Sequence, residues 1–393
     1  MGTAKHREWR RLGMFEEALR DWQGGCLTQE QAASLRGVST RTFRRWAVRY
    51  GEDGIEGLRD RRVSRASHRA APVDEVMRMV DRYRTRHEGW NIRHYYAWYR
   101  REGGTRSYTW VRNKLQSHGA VAKGKARGQH RRKRKPAPWP GVMLHQDGSA
   151  HEWVAGQTWD LIVTMDDATN EHYSMFFCEE EGTWSSFAGV REVIESKGLF
   201  CSLYTDRASH YWHTPEAGGQ VDKTKLTQFA RALMQDLGID MIPAYSPEAR
   251  GRSERAFRTH QGRLPQELAW AGIADIPAAN RYLAEVYRPA FNAEFCRSPA
   301  EDKSAFVPMA ETARLDNILC EIHERTVGRD NCVRFERRAL QLPANCHRPH
   351  YFKVRVKVRR HRNGTLSVWH GPRLLARYGP DGHALTEPRE RAA

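Results

Sequence analysis

The sequence is poor in everything that would tie it to a membrane or to an oxidising compartment. None of its 393 positions belongs to a run of 18 or more apolar residues, so nothing reads as a bilayer span. The first 25 residues contain no apolar h-region, and no secretory signal is expected. Cysteine is scarce and scattered: seven residues, at 26, 178, 201, 296, 320, 332 and 346, with no CxxC pair. That pattern argues against a disulfide framework and reads as reduced thiols in the cytoplasm. Cys346-His347-Arg348-Pro349-His350 is the nearest approach to a zinc site. Zinc sites need two spaced ligand pairs, and here one loop alone offers ligands, so a polar loop is expected. Acid is short as well: 47 Asp+Glu face 65 Lys+Arg, for a net charge of +18. A balance that basic calls for an extended anionic partner. Nucleic acid comes first and an anionic membrane is the rival; with a helix-turn-helix at 14–50, double-stranded DNA is the expected partner, which would make the protein nucleoid-associated.

What is present falls into blocks. At roughly 100–200 residues each, two to four domains are expected. Residues 14–50 read as a helix-turn-helix. Phe15, Ala18, Leu19 and Trp22 recur at helical spacing, and Gly24-Gly25 ends that helix. Thr28 and Gln31 stand in capping-box positions, Gly37-Val38 makes the turn, and Ser39 caps a third helix. On that helix Phe43, Trp46, Ala47 and Tyr50 share one face. Arg41, Arg44, Arg45 and Arg49 lie off it, as on a helix that enters a major groove. A second helical unit is expected at about 73–118, after a Ser/Arg/Ala-rich linker at 63–71. Between 119 and 140 there is no acid at all. Lys123, Lys125, Arg127, Arg131, Arg132, Lys133, Arg134 and Lys135 are followed by Pro136, Pro138 and Pro140. Such a segment cannot bury a core, and its charge suits phosphates without reading sequence.

From 141 the pattern changes to three strands, a helix, a strand, a helix, a strand and a helix. The last helix is expected to run unbroken from about 251 to Trp270. This is the element order of a ribonuclease-H-like α/β core. Near the end, Val354, Val356 and Val358 alternate with Lys353, Arg355, Lys357 and Arg359, a strand of period two, and Asn363-Gly364 is a hairpin turn. The expected organisation is therefore multidomain. All-α helix-turn-helix modules occupy 1–62 and 72–118, with a basic linker at 119–140. An α/β core follows at 141–290, a helical or irregular connector at 291–329, and a small SH3-like β-barrel at 330–393.

Three carboxylates carry the chemistry. Asp147 lies inside the first core strand, Asp206 at the end of the fourth, and Glu254 in the first turn of the last helix. Neighbouring strand ends converge on one edge of an α/β sheet, and the helix can bring a third acid there. Three carboxylates together repel one another and become tolerable around divalent cations. Oxygen-only ligands select Mg²⁺ or Mn²⁺, and two such ions serve phosphodiester chemistry. Asp166 and Asp167 read as acceptors for turn amides. Glu179, Glu180 and Glu181 precede a helix, where negative charge suits the dipole. Arg250, Arg252, Arg255 and Arg258 crowd the start of the last helix, placed to hold phosphates.

Ser246-Pro247-x-x-x-Gly251-x-x-Glu254-Arg255 resembles the insertion-sequence transposases with a retroviral-integrase-type catalytic core, and most closely the group called ISNCY. The resemblance spans nearly the whole chain. His145-Gln146-Asp147-Gly148-Ser149 departs from the family by lacking a tryptophan. The interval from Asp206 to Glu254, 254 − 206 = 48 positions, exceeds that of the shortest members and fits an insertion at 213–222. The resemblance implies a DDE transposase, a polynucleotidyl transferase that hydrolyses the element's 3′ ends and joins them to target DNA. Asp147 and Asp206 would hold one ion, Asp147 and Glu254 the other, and a homo-oligomer would assemble on DNA. The rival readings are a DNA-binding regulator on a transposase scaffold and a structure-specific nuclease on the same core.

Overall fold

Three helices open the chain because their apolar residues recur at helical spacing and their ends are capped. These are α1 (Gly2–Gln23), α2 (Gln29–Leu35) and α3 (Thr40–Asp53). Thr28 and Gln31 form the capping box: Thr28 Oγ1 accepts the Gln31 amide at 3.2 Å, and Gln31 Oε1 accepts the Thr28 amide at 2.8 Å. Ser39 caps α3 by accepting the Thr42 amide. Gly37, at φ +65°, supplies the left-handed residue the turn between α2 and α3 requires. Phe15, Ala18, Leu19, Ala32, Ala33 and Phe43 close into one core, with Trp22, Trp46 and Tyr50 packed at its side. Both expected apolar stripes are thus the inside of this bundle.

The computed structural model describes residues 2–58, 71–123, 135–216, 219–245, 251–344 and 348–385, with side chains from residue 13. It divides into two units, Met1–Asp81 and Arg82–Ala393, with the boundary inside α4 (Val73–Arg86). In the second unit, α5 (Ile92–Arg101) and α6 (Tyr108–Ser117) start on Asn91 and Ser107 caps. The inward face of α5 is committed to protein contacts. His94 Nε2 lies 2.7 Å from Glu267 Oε1, and Asn91 Nδ2 donates to the Gly262 carbonyl at 3.0 Å.

The strands β1 (Leu144–Val154), β2 (Gln157–Asp166), β3 (His172–Cys178), β4 (Ser202–Thr205) and β5 (Asp240–Pro243) form one sheet in the order β3-β2-β1-β4-β5. The first three are antiparallel, and β4 and β5 run parallel to β1. Both faces are covered, so the sheet is the middle of three layers. On one side α7 (Thr183–Lys197) and α8 (Gln228–Ala230), which continues as a π-helical stretch Arg231–Leu237, bury Phe187, Val190, Phe229 and Leu233 against Leu144 and Leu203. On the other, Phe257, Leu264, Leu268, Leu283 and Phe291 pack on Trp153, Leu161, Val163 and Phe177.

Two expectations need correction. The last core helix is not continuous: α9 (Ser253–Gln261) ends at Gly262, and α10 (Leu264–Trp270) starts afresh with Pro265 in its first turn. Proline there lacks the amide that would continue α9 and is preset for a new helix start. Beyond lie α11 (Ile276–Tyr282), α12 (Arg288–Phe295) and α13 (Leu315–Ile318). The tail, moreover, is not a closed barrel among the described residues. β6 (Glu321–Thr326), β9 (Arg355–Arg360), β10 (Leu366–His370) and β11 (Arg373–Tyr378) make an open four-stranded sheet, β11-β10-β9-β6. β7 (Cys332–Phe335) and β8 (Arg338–Gln341) pair only with each other, across a turn with Glu336 and Arg337 at positive φ. These four-residue strands are too short to bridge the open edges. They contribute Val333, Phe335 and Leu340 to a core shared with Val356, Val358, Leu366 and Val368.

Candidate active site

β1 places the first carboxylate. Leu144 and Gln146 point toward α7, where Gln146 Nε2 donates to Thr164 Oγ1 and to the Ser186 carbonyl. Alternation then sends His145, Asp147 and Ser149 to the opposite face. β4 runs parallel beside it, with Leu144 level with Leu203 and His145 level with Tyr204. Asp147 follows His145 by two residues on β1, and Asp206 follows Tyr204 by two, just past the end of β4; both charges act on the Tyr211 hydroxyl. Asp147 is buried and Asp206 half-buried.

α9 lies along this face. Its near end is held by the ion pair between Arg252 and Asp167, whose carboxylate also meets His145. Its far end is held by Gln261 Nε2, which donates to Ser149 Oγ at 3.1 Å. From Arg252 to Gln261 the helix advances about 13.5 Å. From His145 to Ser149 the strand advances about 13 Å. The two spans match, so α9 and this part of β1 run side by side. Glu254 precedes Gln261 by seven residues, two helical turns, and therefore stands on the same side of α9. It is exposed. Among the described residues no three acidic, histidine or cysteine side chains lie close enough together to hold an ion. The structure thus puts Asp147 and Asp206 on neighbouring parallel segments and brings the helix of Glu254 alongside, without closing the three into a cage.

A further carboxylate stands at this edge. Glu181, placed by the sequence reading at a helix N-terminus for its dipole, turns its side chain onto β1. A Cβ at Gly148 would come within 2.2 Å of its Oε2, so a side chain at 148 would require the carboxylate to turn away. Tyr211, wholly buried, lies beneath. Its hydroxyl is 3.4 Å from Glu181 Oε1 and 3.2 Å from Gln146 Oε1, and it accepts from Ser186 Oγ at 3.1 Å. Burial, then the charges of Glu181, Asp147 and Asp206, push the Tyr211 hydroxyl well above its ordinary range. The carboxylate oxygens at this edge are donors of the kind that Mg²⁺ or Mn²⁺ takes, but as they stand Glu181, Asp147 and Asp206 do not converge on one ion position. Nothing in local sequence announces Glu181 or Tyr211, because their meeting is tertiary.

The two aspartates at the β2–β3 turn part company. Asp166 does satisfy turn amides, accepting from Ala168 and Thr169 and also from Gly141. Asp167 turns inward. Fully buried, it accepts the Ala137 amide at 2.7 Å, meets His145 Nε2 at 2.7 Å and pairs with the Arg252 guanidinium. Burial opposes its charge, but His145, the Ala137 amide and Arg252 outweigh burial and hold the carboxyl well below the usual range.

Of the cations expected to meet DNA, Arg41, Arg44, Arg45, Lys123, Arg255 and Arg258 are exposed and Arg49 is half-buried. Arg252 is engaged by Asp167. Lys125, Arg131, Arg132, Lys133, Arg134 and Arg250 lie outside the described residues, as do positions 246–250 of the motif and Cys346-His347. The six described cysteines are free thiols. No helix among the described residues is long and apolar enough to cross a membrane.

Residues 17–78 match a family model described as a winged helix-turn helix. Over 336 residues the chain is 28% identical to a protein named transposase y4bF from Sinorhizobium fredii, covering 82% of this chain and 70% of that one. It is also 27% identical over 218 residues to the transposase for insertion sequence IS1202 of Streptococcus pneumoniae, covering 56% and 46%. The chain is thus similar over most of its length to proteins named as transposases. It spans less than half the length of the pneumococcal relative. Similar solved structures include a chain of the simian T-cell lymphotropic virus intasome in complex with PP2A regulatory subunit B56 gamma. That chain is 13% identical, with coverage of 68% and 86% and a TM-score of 0.33. Another is the HTLV-2 integrase catalytic core domain in complex with magnesium, 14% identical, with coverage of 37% and 85% and a TM-score of 0.29.

Proposed function

We propose that this chain is a DDE transposase that hydrolyses the 3′ ends of its element and joins them to target DNA. The observation that carries this reading is Asp147 on β1 and Asp206 just past the end of the neighbouring parallel strand β4, both acting on the Tyr211 hydroxyl, with α9 laid along the same face of β1. Asp147 and Asp206 would hold one Mg²⁺ or Mn²⁺, and Asp147 and Glu254 the other. When bound, such a pair of ions activates the attacking hydroxyl and neutralises charge on the leaving oxygen.

The chain's own groups do the rest. Tyr211 stays protonated and cannot act as a base, so it is a fixed donor beneath the carboxylates. Gln146, anchored to Thr164 and the Ser186 carbonyl, orients that hydroxyl. Arg255 and Arg258, exposed on α9 beside Glu254, are placed to take phosphates of the scissile strand. Arg41, Arg44 and Arg45 on α3, with the basic linker, would bind the element ends. Two ends must be handled together, which calls for a homo-oligomer on DNA.

The test is strand transfer by the full chain with labelled end DNA and Mg²⁺. Asp206→Asn should abolish both cleavage and joining, by at least about a hundredfold, since a lost metal ligand removes several kcal/mol of transition-state stabilisation. Cleavage that survives Asp206→Asn would refute the site. Cleavage by the unaltered chain without joining would favour a structure-specific nuclease.

A further inference from the structure

Asp167 links the two elements that carry Asp147 and Glu254. Its carboxylate is at the end of β2 and wholly shielded from solvent. One partner, His145, is two residues before Asp147 on β1 and itself buried. The other, Arg252, is two residues before Glu254 and forms the backbone cap of α9. Ala137, where the basic linker enters the core, donates its amide to the other oxygen. A buried carboxylate is costly unless it is paired and hydrogen-bonded, and here each interaction joins a different segment.

We infer that Asp167 is a positioning residue, a clamp that sets the start of α9, and so Glu254, against the strand bearing Asp147. The inference rests on the transposase reading for what the clamp serves, but not for its existence. Arg252 is then a structural cation and not one of the phosphate contacts suggested by its place in the Arg-rich motif. The clamp gives the start of α9 a fixed partner at the end of β2. Gln261 and Ser149 fix only its far end. A carboxylate held at one end alone would swing with the first turn, and misplacement by about 1 Å can cost a hundredfold in rate. His145 does a related job on the strand side. Its ring meets Tyr204 at 5.1 Å, so the clamp also bears on β4, which precedes Asp206.

The experiment uses the full chain with Asp167→Asn, Arg252→Gln and Arg252→Lys. Arg252 is less deeply buried than Asp167, so its variants are the second route to the test, and Arg252→Lys keeps a positive charge beside the buried carboxylate. Hydrogen–deuterium exchange is followed at 253–257. Arg252→Gln should speed exchange there at least tenfold and leave β3 unchanged, with Arg252→Lys restoring part of the protection. In the strand-transfer assay Arg252→Gln should lower the rate at least tenfold, while affinity for end DNA changes less than twofold. Unchanged protection at 253–257 in Arg252→Gln would overturn the clamp. So would a loss of activity matched by an equal loss of DNA affinity, which would return Arg252 to the phosphate. If the unaltered chain neither cleaves nor joins DNA, the transposase reading fails while the exchange data still decide the clamp.

Discussion

Gly148 follows Asp147 and is pressed by the Glu181 carboxylate, whereas Gly189 on α7 is pressed by Gln146 Nε2 at 2.4 Å and Thr164 Oγ1 at 2.9 Å from a would-be Cβ. The first obstacle is the far end of a flexible chain that can turn away. The second is a buried, doubly hydrogen-bonded amide that cannot. Gly189→Ala should therefore destabilise the fold by about 1–3 kcal/mol in chemical denaturation, and Gly148→Ala by less. The reverse order would mean that Gln146 is not held as described. At this scale the sequence placed Asp147 inside a strand and Asp206 at the end of one, and the structure has them on β1 and just past β4. Asp166 was legible as a turn acceptor. Asp167 was not: its neighbour's role was assigned to it, although His145 at the i−2 position of Asp147 hinted at a polar partner on that face. Glu181 was read from its nearness to α7 in sequence, and no periodicity could show that its side chain would turn back onto β1.

Between elements, the junction of β3 with the helices behind it contains two facing imidazoles. His172 Nε2 lies 3.0 Å from His260 Nε2, and His260 Nδ1 lies 3.1 Å from the Tyr287 hydroxyl. Burial lowers His172 to about 4, and burial followed by the neighbouring His172 lowers His260 well below its ordinary range. Arg288 and Arg263 add further positive charge nearby. An unfolded imidazole titrates near 6.5. Between 6.5 and 4 the unfolded chain binds more protons, so stability present above 6.5 is lost as pH falls toward 4. Urea midpoints measured from pH 7 to 4.5 should fall, and His260→Gln should flatten that fall. An unaltered slope would show that the pair is not buried as a neutral couple. Element existence and order were readable here, since each strand and helix kept its own apolar period. Element ends were not. Pro265 interrupts what otherwise scans as one helical stripe from Phe257 to Leu268, and whether a proline kinks, ends or restarts a helix depends on packing beyond the sequence window.

Across the whole molecule, a charge of +18 and an acid-free linker pointed to DNA, and relatives named as transposases agree with that direction. The tail was legible as β-structure from its period-two strand and Asn363-Gly364 turn. Its open sheet was not, because closure depends on which distant edges meet. The central claim is that Asp147, Asp206 and Glu254, not Glu181, complete one centre on the DNA-bound chain. It is tested most directly by replacing Mg²⁺ with Fe²⁺ and mapping where the locally generated hydroxyl radical cuts the polypeptide. Cuts clustered around 147, 206 and 254, suppressed by excess Mg²⁺, are the predicted result. Cuts around 147, 206 and 181 with none near 254 would contradict it.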